Sequence, residues 1–257
     1  MWKLLACTLL VTPSLAHAAD ACKFEAPRNA TLDFTGVHTL VIELHQHNLH
    51  LNGGPTPAGQ IHGRACASSQ DRLNALQIVQ HREGDRLIVN AQDGNRSWSG
   101  ISLFGDHYDY LDLQVDIPAN VAVELNVGSG DANVKNIAEL AAHVGSGDLQ
   151  VNGVHGRFGA HVGSGDIKAE DVGETHVDAV GSGDFTVNRV RGDVRVGSVG
   201  SGDVDLRAVG GSVDVGSIGS GELRVNGVAH DLHVASVGSG DISHSAVAGK
   251  VDIPKQD

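Results

Sequence analysis

The sequence predicts an all-β protein: a β-solenoid (single-stranded β-helix) of about seven coils of 17–19 residues, preceded by a non-repetitive β region that caps its N-terminal end. Three observations predict it. The string Gly-Ser-Gly-Asp begins at Gly128, Gly145, Gly163, Gly181, Gly200 and Gly238, and Gly219-Ser220-Gly221-Glu222 is a seventh copy with Glu for Asp. A Val or Ile stands immediately before every copy, from Val127 to Val237. Between copies the apolar residues are spaced by two, as in Leu149/Val151, Val204/Leu206 and Val213/Val215, the period of a strand with one face in and one face out.

The chain divides at this level into residues 1–19, 20–120 and 121–257. In the first segment Lys3 precedes a largely apolar run from Leu4 to Val11, Pro13 breaks it, and Ala16-His17-Ala18 is a small-x-small site. That is the pattern of a secretory signal peptide cleaved after Ala18 or Ala19. Cys7 leaves with it. Cys22 and Cys66 remain, an even pair in an exported chain, and a disulfide between them is expected. It would tie the mature N-terminus to residue 66, and the chain-entropy model sets its contribution at up to about 4 kcal/mol.

Residues 20–120 read as β without a repeat. Short strands are expected over 31–34, 37–46 and 48–51. A hairpin joins 75–81 to 85–91 through Glu83-Gly84. Residues 108–117 alternate, with Asp109, Leu111, Leu113, Val115 and Ile117 on one face, until Pro118 stops the strand. Residues 93–107 carry turn formers and read as a loop. No helix longer than two turns is expected.

From residue 121 each repeat reads as strand, turn, strand, glycine turn. One unit cannot bury its apolar face alone, so copies must stack and share an interior. A coil of this length has a perimeter of about 60 Å. The interior is therefore thin, which suits a chain whose core must come from Val, Leu, Ile and Ala because aromatics are only 4%. Glycine reaches positive φ without penalty, which suits both glycines of the turn.

Composition excludes some functions. Net charge is −13, and removing residues 1–19 leaves 17 basic against 31 acidic side chains. Nucleic-acid binding needs the opposite balance. No later segment reaches the apolar length of a transmembrane helix. Neither a nucleophile elbow nor a phosphate loop is present, and the chain is expected not to be an enzyme.

Val115-Asp116-Ile117-Pro118, a short spacer, then Val121-Ala122-Val123 and Val127-Gly128-Ser129-Gly130-Asp131 resemble the toastrack, or putative-adhesin, family of bacterial envelope proteins. The resemblance covers roughly residues 30–253. It implies a β-solenoid at the cell envelope, adhesive or engaged in envelope stress, with no catalytic residues and no agreed ligand. A periplasmic or surface location follows from the leader, and the partner implied is an envelope or surface protein or a glycan. Two other readings stay open: a glycan-active β-helix enzyme, and a calcium-stabilised structural element.

Three groups are candidate sites. Stacked coils place Asp131, Asp148, Asp166, Asp184, Asp203, Glu222 and Asp241 in a column. Carboxylates about 4.8 Å apart repel by about 0.9 kcal/mol even in water. Backbone N–H donors with solvent screening would offset this, and so would a row of Ca²⁺ ions. Glu43, His45 and His47 share one face if their segment is a strand, and His-x-His can hold zinc or copper. The other reading is a solvated outer face. Trp98, Phe104 and Tyr108 crowd one loop, as a contact surface for sugar or protein, or as a small core that packs loop on sheet.

Overall fold

The structure, a computed structural model, describes residues 22–93 and 107–254. The leader read over 1–19, Trp98 and Phe104, and the tail 255–257 lie outside the described residues. Eight strands and one helix precede the glycine repeats. They are β1 (Phe24–Pro27), β2 (Ala30–Leu32), β3 (Thr39–Glu43), β4 (Asn48–Gly54), β5 (Gly59–Ala67), α1 (Gln70–Ala75), β6 (Gln77–Glu83), β7 (Arg86–Gln92) and β8 (Asp109–Pro118). The repeats supply β9 (Ala122–Val127), β10 (Ala132–Ile137), β11 (Glu139–Val144), β12 (Leu149–Val154), β13 (Phe158–Val162), β14 (Ile167–Val172) and β15 (Thr175–Val180). They continue with β16 (Phe185–Val190), β17 (Val194–Val199), β18 (Val204–Val209), β19 (Val213–Ile218), β20 (Glu222–Val228), β21 (Leu232–Val237), β22 (Asp241–Val247) and β23 (Val251–Asp252).

These strands form two facing sheets. Sheet I runs β1-β5-β8-β4-β10-β12-β14-β16-β18-β20-β22, with β2 also on β5; sheet II runs β23-β21-β19-β17-β15-β13-β11-β9-β3-β7-β6. Within the repeats every pairing is parallel and in phase. Leu149 lies beside Ile167, then Phe185, Val204 and Leu223. The inward aliphatics of both sheets make one continuous buried cluster from Leu32 to Val234. The interior is thin enough for Phe158 of one sheet to stack on Phe185 of the other, ring centroids 6.1 Å apart.

Residues before 121 take part in the same stacking. β3 lies between β7 and β9, and β4 between β8 and β10, all in parallel. Residues 39–54 are thus a coil, and β7 with β8 form another outside it. The chain lays down the inner coil first, goes out to make the outer one, then crosses back at Pro118–Val121 to continue on the far side. β5 and β6 pair antiparallel on the outermost strands, and β1 and β2 pair antiparallel with β5. Together with α1 they close this end. Ser69 caps α1, its hydroxyl accepting from the Arg72 N–H.

β1 and β5 were not expected from sequence. In β5, Gly59, Ile61, Gly63, Ala65 and Ala67 point inward, and the two glycines dilute the alternation. Each is there because of crowding: a Cβ on Gly59 would strike Phe34, and one on Gly63 would strike the Arg28 carbonyl.

The structure corrects the reason for the repeat glycines. None of them lies in the left-handed region. A Cβ on Gly147, Gly165 or Gly183 would overlap the carbonyl oxygen of Gly130, Gly147 or Gly165 in the coil below. Glycine is required by the close approach of successive corners. Positive φ occurs elsewhere in each coil, at Asn136, Gly153, Asp171, Arg189, Ala208, Gly227 and Ala246. From Asn136 to Gly227 each of these interrupts the alternation and lets the next aliphatic, Ile137 through Val228, turn inward three residues after the last one.

The uneven spacing of the repeats has a structural origin. From β10 to β11, Ile137 and Leu140 are three residues apart, whereas Val154 and Phe158 are four apart, so the second coil adds a residue in its turn. The third coil drops that residue but bulges within β15, where Ala179 rather than Asp178 pairs with His161. Later coils carry both additions, giving 17, 18, 18 and then 19 residues per coil.

Candidate functional site

The predicted acidic residues do form a column, and its hydrogen bonding is regular. Oδ1 of Asp131 accepts the backbone N–H of Asp148 at 3.3 Å. Asp148 accepts from Asp166 at 3.3 Å, Asp166 from Asp184 at 3.0 Å, Asp184 from Asp203 and Asp203 from Glu222, each at 3.1 Å. Each carboxylate thus bonds the corner of the next coil. Asn48 starts the ladder, its amide oxygen accepting from the Asp131 N–H at 3.2 Å. Glu222 ends it, because the Asp241 N–H bonds the Gly221 carbonyl instead. Among the described residues no group of three His, Cys, Asp or Glu is placed to hold a metal ion.

Glu43, His45 and His47 are not brought together as a ligand set. The strand ends at Glu43. Leu44 to Asn48 then turn the corner, with His45 at a φ of 51°. This corner takes the place that Val127 to Asp131 occupy in the next coil. The His45 carbonyl accepts the N–H groups of Ser129 and Gly130 at 2.7 and 3.3 Å, as the Gly128 carbonyl does for Ser146 and Gly147. His47 stands where later coils have a glycine. Its imidazole is nonetheless fully buried.

His47 Nδ1 accepts the Leu111 N–H at 3.2 Å, and Nε2 lies 3.0 Å from Oδ1 of Asp93. Burial holds the His47 pKa below the ordinary histidine value, although the Asp93 carboxylate pulls the other way. Asp109, also buried, meets Arg72 of α1 at 3.3 Å, and its carbonyl accepts from Gln46 at 3.0 Å. Tyr108, from the predicted aromatic loop, is anchored. Its N–H donates to Ser68 Oγ at 3.3 Å and its hydroxyl accepts the Lys23 N–H at 3.0 Å. Cys22 and Cys66 are joined in a disulfide with Cα atoms 5.5 Å apart, which ties the residues before β1 to β5.

Sequence reasoning did not single out the outer face of sheet I. Two outward columns run along the solenoid there, one through Gln150, Lys168, Thr186, Asp205 and Arg224, the other through Asn152, Glu170, Asn188, Arg207 and Asn226. A shallow open trough lies between them in two stretches, one lined from Asn133 to Asn188 and the other from Asp205 to Ser245. Its acids are paired: Glu170 with Arg189 at 2.8 Å, and Asp205 with Arg207 at 3.0 Å. The signal was present in the alternation of each strand, but alternation marks which residues face out without ranking one outer face above the other.

No curated protein matches the chain. Among solved structures, a putative adhesin from Parabacteroides merdae is similar at 13% identity and TM-score 0.55, over 89% of this chain and 92% of that one. A putative adhesin from Bacteroides fragilis is similar at 14% identity and TM-score 0.47, over 90% of this chain and 98% of that one. The family model described as Toastrack DUF4097 matches residues 37–255, a span that opens just before the inner coil and runs through every repeat, and the chain belongs to this family.

Proposed function

We propose that this chain is a non-catalytic, exported β-solenoid of the bacterial cell envelope that serves as an adhesin-like binding or scaffold protein, periplasmic or on the cell surface. The observation that carries this reading is the long, rigid outer face of sheet I, where polar side chains stand in register from coil to coil. A backbone already held in a continuous sheet loses little freedom when a partner docks, which favours binding. It is also the role for which the Parabacteroides merdae protein of like fold is named. The leader pattern of residues 1–19 supports export, and so does the Cys22–Cys66 disulfide, since such bonds persist in oxidising compartments.

A β-helical glycosidase would need two carboxyl groups free to act as acid and base across a groove. The trough's Glu170 and Asp205 are each engaged by an arginine, which favours recognition over hydrolysis. Capture of envelope components on the immobilised mature protein, followed by identification of what is retained, tests the proposal. Specific retention of an envelope protein or glycan is expected. Turnover of an envelope glycan in the same experiment would overturn the non-catalytic assignment.

A further inference from the structure

The outer column of sheet I that begins at Asn52 has a two-coil rhythm. In spatial order it reads Asn52, Lys135, Asn152, Glu170, Asn188, Arg207, Asn226. An asparagine stands on every second coil, four times in succession. Coils are about 4.8 Å apart, so the amides recur about every 9.6 Å. That spacing is close to the length of two sugar rings in an extended β-linked glycan, whose chemical groups also repeat every second ring because successive rings are flipped.

The chemistry of the trough points the same way. An Asn amide offers two donors and an acceptor, a match for hydroxyls, which both give and accept hydrogen bonds. Asn152 and Asn226 each spend one N–H within the column, on Glu170 at 3.3 Å and Ser245 at 2.7 Å, so their amides are held in place with donor and acceptor capacity remaining. The residues between the asparagines alternate in sign, Lys135, Glu170, Arg207, so the column carries no one-sign field for a polyanion. The facing column is as hydrophilic, and neither column between Asn133 and Asn226 has an aromatic or large apolar side chain to anchor a protein.

We infer that this trough binds a linear, β-linked polysaccharide laid parallel to the solenoid axis, one disaccharide to every two coils. The inference rests on the binding role proposed above and names its ligand class. Without an aromatic platform each sugar contributes weakly, so affinity must accumulate along the chain through linked contacts.

Calorimetry of the mature protein with β-1,4-linked glucose and N-acetylglucosamine oligomers tests this. The hexasaccharide of at least one series should bind ten-fold or more tighter than its disaccharide. Asn152→Ala with Asn188→Ala should weaken hexasaccharide binding ten-fold or more, with the melting temperature recorded to show that the fold persists. Arg195→Ala on the opposite sheet should leave binding unchanged. Failure of every oligomer to bind, or binding indifferent to chain length or to N152A/N188A, overturns the inference. Specific capture of an envelope protein alongside such a failure would leave the broader binding role standing, so the two can fail separately.

Discussion

At the scale of single residues, the corner glycines are constrained by their neighbours' backbone. Gly165 has the Gly147 carbonyl where its Cβ would go, whereas the nearest atom to a Cβ on Gly159 is at an ordinary 3.8 Å. Gly165→Ala should therefore force coils apart and destabilise by about 3 kcal/mol or more, at the upper end of overpacking costs. Gly159→Ala should be neutral or stabilising, because Gly loses more freedom on folding than Ala. Denaturant unfolding of the two variants compares them directly.

His47 gives a pH dependence with a definite sign. Its folded-state pKa is lowered by burial, so the unfolded chain binds a proton that the folded chain refuses. Its contribution to stability is complete above the unfolded value near 6.5. It is lost as pH falls below that value toward the folded pKa, at up to about 1.4 kcal/mol per pH unit. His47→Gln can keep an acceptor for the Leu111 N–H without a proton to gain. The variant should lose this part of the acid slope, measured as unfolding midpoints between pH 7.5 and 5.

At the scale of elements, the acidic column works as a ladder of acceptors, and the charge is incidental to the bond. Asn48 shows that an amide oxygen takes the same place on the first rung. Asp166→Asn should hold stability within about 0.5 kcal/mol, relieving repulsion from Asp148 and Asp184. Asp166→Ala leaves the Asp184 N–H without that acceptor and should cost about 1 kcal/mol. Because backbone donors already answer one oxygen on five carboxylates, the melting temperature should be the same in millimolar calcium and in excess chelator. A rise with calcium would instead assign a cation row to this edge.

At the scale of the whole molecule, the two ends differ. The inner coil of β3 and β4 is clamped between a coil made later and the repeats, and antiparallel strands and α1 cover the outer one. Among the described residues the other end is formed by β22 and β23, where Val251 is 38% exposed and β22 pairs only with β20. Solenoid stability is a sum of neighbour contacts, so opening proceeds from the less supported end. Native-state hydrogen exchange should be slowest in β3, β4, β9 and β10 and fastest in β22 and β23. Equal protection at both ends would mean that the clamped topology adds nothing.

The period, the strands of each repeat, the inward aliphatics, the acidic column, the hairpin around Glu83-Gly84 and the cysteine pair were all legible in the order of the amino acids. All of these are written in local pattern, because a strand's two faces and a repeat's phase are properties of neighbours along the chain. Folding in three dimensions, and nothing local, makes residues 39–54 a coil inserted between later segments. Their corner reads Leu44-His45-Gln46-His47-Asn48, with none of the glycines that mark its equivalents and with a buried histidine in the place of one. It also decided that His47 is an internal polar anchor rather than an exposed ligand, and that asparagines scattered from 52 to 226 line up on alternate coils. Such facts depend on which segments lie side by side, and stacking order, unlike alternation, is set by contacts between residues far apart in the chain.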